Sequence, residues 1–108
     1  MYTQVIGVFT YSRNRAINKI QELLQSYPVE SIKSIQEENN TCIAIVEVDG
    51  NDCIVDREYI KIAWLRPSEN LRGYKLTQAW VDSQLEQQHD LIGCVQCSLK
   101  NSRELHYF

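Results

Sequence analysis

Residues 3–28 read TQVIGVFTYSRNRAINKIQELLQSYP, and this stretch decides the fold. Its first part alternates Val5, Gly7 and Phe9 with Gln4, Ile6 and Val8. Both faces carry apolar side chains, the mark of a strand inside a sheet, running from about Thr3 to Tyr11. Ser12 stands where a helix N-cap belongs. Ala16, Ile17, Ile20, Leu23, Leu24 and Tyr27 then recur at helical spacing as one apolar stripe, while Arg13, Asn14, Asn18, Lys19, Gln21, Glu22 and Gln25 face outward. Pro28 has no amide proton and disfavours helical geometry at Tyr27, so the helix ends there.

Beyond this unit the pattern turns to period two. Val29 to Gln36 reads as a second strand whose imperfect alternation leaves room for a bulge. Glu37-Glu38-Asn39-Asn40 is turn chemistry. Thr41 to Val48 is a third strand, with Cys42, Ala44, Val46 and Val48 on one face. Asp49-Gly50-Asn51-Asp52 signals a hairpin, Cys53-Ile54-Val55 begins the return, and Tyr59 to Arg66 is a further strand or the same one past a bend, ended by Pro67-Ser68-Glu69-Asn70. A second helix is expected over Leu76 to Gln88, a strand over Leu91 to Leu99, and a short edge strand over Arg103 to Phe108 that pairs back on it. The order βαβββαβ predicts a single α+β domain over residues 1–108: a two-layer, ferredoxin-like sandwich with two helices on one face of a mostly antiparallel sheet.

A chain of 108 residues with 44% hydrophobic and 23% charged side chains buries enough surface to fold without a metal or disulfide. The N-terminus reads as a strand rather than a targeting signal, and no apolar run approaches the ~20 residues that span a bilayer, so a cytoplasmic chain with four reduced cysteines and no membrane contact is expected. Net charge is −3, unevenly spread. Residues 37–58 hold seven acidic side chains and one basic, which argues against a nucleic-acid contact there and suits a basic partner.

No motif carries a reaction. Cys94-Val95-Gln96-Cys97 could complete a four-thiolate zinc site with Cys42 and Cys53, but Cys42 and Cys53 are ten residues apart where a paired knuckle would be. In a strand its two thiols would also point to opposite faces. His89, read as the end of a helix, and His106 lie in no nucleophile motif. The carboxylates Asp49 and Asp52 lack the register of a calcium loop. No metal, cofactor or catalytic residue is therefore assigned. Lys61, Arg66, Arg72 and Lys75 beside Trp64 and Tyr74 mix basic and aromatic groups, yet a pI of 5.3 speaks against nucleic acid. Ser12, Arg13 and Arg15 at a strand-to-helix junction form a candidate anion-binding site.

These features point to a small non-catalytic protein-binding module of inhibitor or immunity type. It would meet a basic partner through an acidic hairpin bearing Glu37, Glu38, Asp49 and Asp52, with Tyr59 and Trp64 as anchors if exposed. The alternative is a dimeric ligand-binding or small enzyme domain whose Arg13 and Arg15 hold an anion.

Overall fold

The computed structural model describes residues 4–52, 55–67 and 75–108, with 49–52 and 55–56 described by backbone pairing only. Strand β1 (Gln4–Phe9) leads into helix α1 (Arg13–Leu24). A 3-10 turn (Val29–Ser31) then opens β2 (Ile32–Glu37), β3 (Cys42–Asp52) and β4 (Val55–Leu65). There follow β5 (Gln78–Val81), a 3-10 turn (Ser83–Leu85), α2 (His89–Ser98), a third such turn (Ser102–Glu104) and β6 (Leu105–Tyr107). Among the described residues, six strands form one sheet in the order β2-β3-β4-β1-β5-β6. The pairs β2–β3 and β3–β4 are antiparallel; β1–β4, β1–β5 and β5–β6 are parallel.

β1 is interior, as its two apolar faces require. It pairs with β4 from Gln4↔Ile60 to Phe9↔Leu65 and with β5 from Ile6↔Gln78 to Phe9↔Val81. Ile6 and Val8 join Ala16, Ile20 and Leu24 of α1, together with Ala44, Val46, Ile60 and Ile62. Phe9, of opposite parity, joins Ala79, Val81, Leu91 and Val95. Each fully buried Leu, Ile or Phe side chain contributes ~1.5–3 kcal/mol, so both cores matter to stability. Gly7 is set by close approach: a Cβ there would lie 3.0 Å from Phe9 Cε2 and 3.1 Å from Leu65 Cδ1.

The α+β class stands, with two helices on a six-stranded sheet. The ferredoxin-like particulars do not describe it. α1 packs on the face of Ile6 and Val8 and α2 on the face of Phe9, so the helices lie on opposite sides of the sheet rather than on one. The reason is handedness: parallel crossovers are right-handed, so one stepping from β1 toward β4 and one stepping from β5 toward β6 carry their helices to opposite faces.

Two further expectations change. Residues 76–88, expected as a helix, form β5 and a 3-10 turn, and residues 91–99, expected as a strand, lie almost entirely within α2. Gln78–Val81 alternates half-buried and buried positions, a strand period too short to outweigh the apparent helical spacing of Leu76, Ala79 and Trp80. Once β5 and β6 are parallel neighbours, the chain between them has to cross over, and α2 is that crossover. The terminal edge strand exists as β6 but runs parallel to β5 instead of pairing back. The bulge expected in the second strand appears as a register shift between Ile32 and Ser34. Asp49 and Asp52, expected in a turn, remain within β3, where they pair with Arg57 and Val55. Thr3, Cys53-Ile54, Ser68-Glu69-Asn70, Arg72 and Tyr74 lie outside the described residues.

Candidate functional site

β3 and β4 outrun their neighbours. Among the described residues, β2 pairs with β3 as far as Ile32↔Val46, and β1, described from Gln4, pairs with β4 from Gln4↔Ile60 onward. Past those points the two strands pair with each other: Glu47↔Tyr59, Val48↔Glu58, Asp49↔Arg57 and Asp52↔Val55. The result is a two-stranded arm, and from Glu47 to Asp52 it extends ~17 Å at the rise of a strand. Its sequence holds Glu47, Asp49, Asp52, Asp56 and Glu58 against Arg57. At its base Glu47 receives Arg57 Nε at 3.4 Å and Lys33 Nζ at 3.8 Å, and Tyr59 is exposed beside it.

The remaining acidic candidates are elsewhere. Glu37 pairs with Cys42 at the opposite end of β3, seven residues from Asp49, or ~24 Å along the strand. Glu37 and Glu38 are exposed there. The charge that looks continuous in sequence is therefore split between two ends of the sheet. Trp64 is not a surface anchor: it packs against the α1 core and its Nε1 donates to the Thr10 carbonyl at 2.8 Å.

Ser12, Arg13 and Arg15 lie at the carboxyl end of β1. Ser12 caps α1 as expected, its Oγ accepting from the Arg15 amide at 3.3 Å. The two arginines diverge. Arg13 Nε donates to the Glu38 carbonyl at 3.1 Å, tying the start of α1 to the β2–β3 turn. Arg15 Nε donates to Asp82 Oδ2 at 2.9 Å, and its Nη2 donates to the Phe108 carbonyl at 2.8 Å. Asp82 follows β5, is 2% exposed, and also accepts from the Thr10 hydroxyl at 2.7 Å and the Gln84 amide at 3.0 Å. Burial pushes its carboxyl up, but the Gln84 amide, the Thr10 hydroxyl and the Arg15 guanidinium together hold it below the ordinary carboxylate range. Asp82, which sequence reasoning did not single out, is thus the hub that fastens β1, β5 and α1. No sequence signal announces it, because residues 76–88 read as a helix and the strand that ends just before Asp82 emerges only in the structure.

Tyr11, Pro67, Gln88, His89 and Leu91 line an open cleft of about 550 Å³ at this same edge. His89 begins α2 rather than ending a helix. On the α1 side, a second cleft of about 670 Å³ is bordered by Ile6, Tyr27, Gln78, Trp80 and Glu104. Trp80 is occupied there: Lys19 Nζ lies 3.9 Å from its ring centroid and His106 stacks on it at 4.7 Å. Cys42 is on the α1 face, whereas Cys94 and Cys97 belong to α2 on the other, so the sheet separates these thiols. Burial and then the nearby Glu37 charge raise the Cys42 thiol. Among the described residues no three His, Cys, Asp or Glu side chains gather as a metal site. Arg66 donates to Asn40 Oδ1 at 2.6 Å rather than joining a basic stripe.

No family model matches the chain, and no curated protein matches it. Among solved structures, the chain is similar to the large terminase ATPase domain of Thermus phage P74-26, with 10% identity over 96% of this chain and 46% of that one, at a TM-score of 0.45. An arginine-to-alanine mutant of that domain gives 11% identity over 96% and 47%, at a TM-score of 0.40. The chain spans a little under half the length of either structure.

Proposed function

We propose that this chain is a protein-binding module whose β3–β4 arm, residues 47–59, meets a basic partner, in the manner of a small inhibitor or immunity protein. One observation carries the reading: among the described residues the acid-rich hairpin continues past both strands that flank it. A two-stranded ribbon is marginal in water by itself, so the extension adds little to folding and is better explained by what it touches. Its surplus of carboxylates would steer a cationic surface and speed encounter. Tyr59 at the base supplies an aromatic anchor of the kind that dominates interface energy. Glu37 and Glu38 fall outside this contact, and Trp64 supports the core beneath it.

The test compares wild type with Asp49→Lys/Asp52→Lys/Glu58→Lys, each immobilised and exposed to native extract, with bound proteins identified by mass spectrometry. A stoichiometric basic protein held by wild type and lost from the variant supports the arm. Equal retention by both, or no basic protein on wild type, rejects it.

A second reading rests on the cleft of Tyr11, Pro67, Gln88 and His89. It opens at the carboxyl ends of parallel strands whose helices lie on opposite faces, the place where open α/β sheets bind small ligands. It is weakened as an anion site because Arg15 is engaged by Asp82. Native mass spectrometry showing a bound metabolite would favour it.

A further inference from the structure

We propose that Cys94 and Cys97, one turn apart on α2, form a two-thiolate site for a soft monovalent metal ion of the copper(I) class. No residue of the site belongs to the β3–β4 arm, so the inference is independent of the proposed function.

In a strand, Cys94-Val95-Gln96-Cys97 would send its two thiols to opposite faces. Both cysteines instead lie in α2 (His89–Ser98). At 3.6 residues per turn, three residues bring the second side chain to within ~60° of the first, on one flank of the helix. Leu91 and Val95 of the same helix are buried in the core beneath it. Cys94 packs at the margin of that core and is half-buried, while Cys97 is exposed. Both are free thiols. One sulfur is thus held in place by packing, and the other is open to an incoming ion.

Spacing decides what the pair can hold. Cβ atoms three residues apart on a helix are ~5–6 Å apart. A disulfide needs them at ~3.5–4.5 Å, so closing one would distort the last turns of α2. An ion between the sulfurs takes up the excess, because two metal–sulfur bonds of ~2.3 Å replace one sulfur–sulfur bond of ~2.05 Å. The positive end of the helix dipole, which activates the thiols of redox CxxC motifs, is at His89, the other end of α2.

The number of ligands decides which ion. Among the described residues no third His, Cys, Asp or Glu gathers with the pair, and the sheet separates it from Cys42. Zinc asks for four protein ligands in a structural site and three in a catalytic one, so it would be left incomplete here. Copper(I) is a soft ion that thiolates select, and two of them in line satisfy it. As each sulfur bonds the ion, its proton passes to solvent: one copper(I) is taken up, two protons are released, and the metal keeps its oxidation state.

Anaerobic titration of the reduced full chain with copper(I), in competition with the chromophoric chelator ferrozine, tests this, with native mass spectrometry for stoichiometry. Wild type should hold one ion per chain. Cys97→Ser, at an exposed position, should weaken binding at least ~100-fold, the scale on which a linked second ligand acts. Cys97→Ser/Gln96→Cys keeps two thiols in the segment but sets them ~160° apart around the helix, and should bind no better than Cys97→Ser. Cys53→Ser, which changes the one thiol outside the described residues, should bind as wild type does. Circular dichroism of each variant establishes that the fold is retained. A wild type that takes up no copper(I), or binds it no more tightly than Cys97→Ser, overturns the inference. So does full affinity in the Gln96→Cys variant, or loss of binding in Cys53→Ser.

Discussion

Asp82 shows how one side chain can hold an edge of the sheet. The Thr10 hydroxyl, the Gln84 amide and the Arg15 guanidinium all donate to it, and the Ser12 amide donates in turn to Thr10 Oγ1 at 3.1 Å. Replacing it by Asn leaves Arg15 without its anion and should cost ~2 kcal/mol, toward the low end for a buried pair because 41% of the Arg15 side chain remains in water. Thr10→Val removes the hydroxyl from both bonds at constant shape and should cost ~1–2 kcal/mol. The sign of the pH dependence follows from the depressed carboxyl. Its contribution is full above the unfolded carboxylate value of ~3.9 and is lost as pH falls through the lower folded value. Thermal melts should therefore show wild type and Asp82→Asn converging on acidification from pH 7 to 3. A constant gap would mean that the Asp82 charge does not stabilise the fold. Sequence reasoning saw Ser12, Arg13 and Arg15 together and expected them to face an anion. The anion Arg15 meets is Asp82, sixty-seven residues away, which no local pattern could announce.

The elements differ in how much of them could be read from local pattern. α1 was legible because its cap, stripe and stop agree: Ser12, then Ala16, Ile20 and Leu24 buried, then Pro28. β1 was legible because both of its faces are apolar. β5 and α2 were not, and their identities came out exchanged. Gln78–Val81 is four residues long, and its strand character comes from sitting beside β1 rather than from its own composition. α2 contains Gly93, Val95 and two cysteines, all modest or poor helix formers, and is helical because β5 and β6 run the same way and need a crossover. Gly93 tests this directly. A Cβ there meets nothing within 4 Å, so Gly93→Ala should stabilise the domain by ~0.5–1 kcal/mol, measured by urea unfolding. Destabilisation instead would place Gly93 outside a regular helix. Gly7→Ala should go the other way, by ~1–3 kcal/mol, because the new methyl presses on Phe9 and Leu65 at the junction of β1 and β4.

At the scale of the whole molecule, two crossovers stepping in opposite directions make a sheet with a helix on each face, and β3 and β4 then continue beyond that body as an acidic ribbon. The composition made the acidity of residues 37–58 visible. What it could not give was distance, since Glu37 ends β2 beside Cys42 while Asp49 lies near the far end of β3, at the other end of the sheet. If the ribbon is a contact element and not part of the folding unit, the body of the sheet should stand without it. Replacing residues 49–57 by Asn-Gly, a two-residue hairpin turn, separates the two roles. Val48 and Glu58, which pair across the strands, would then be joined in register, and the same variant is read for thermal stability and for retention of any basic protein captured by the immobilised wild type. The melting temperature should stay within a few degrees of wild type and retention should be lost. Unfolding of the shortened chain, or retention undiminished by the loss of the arm, would contradict it.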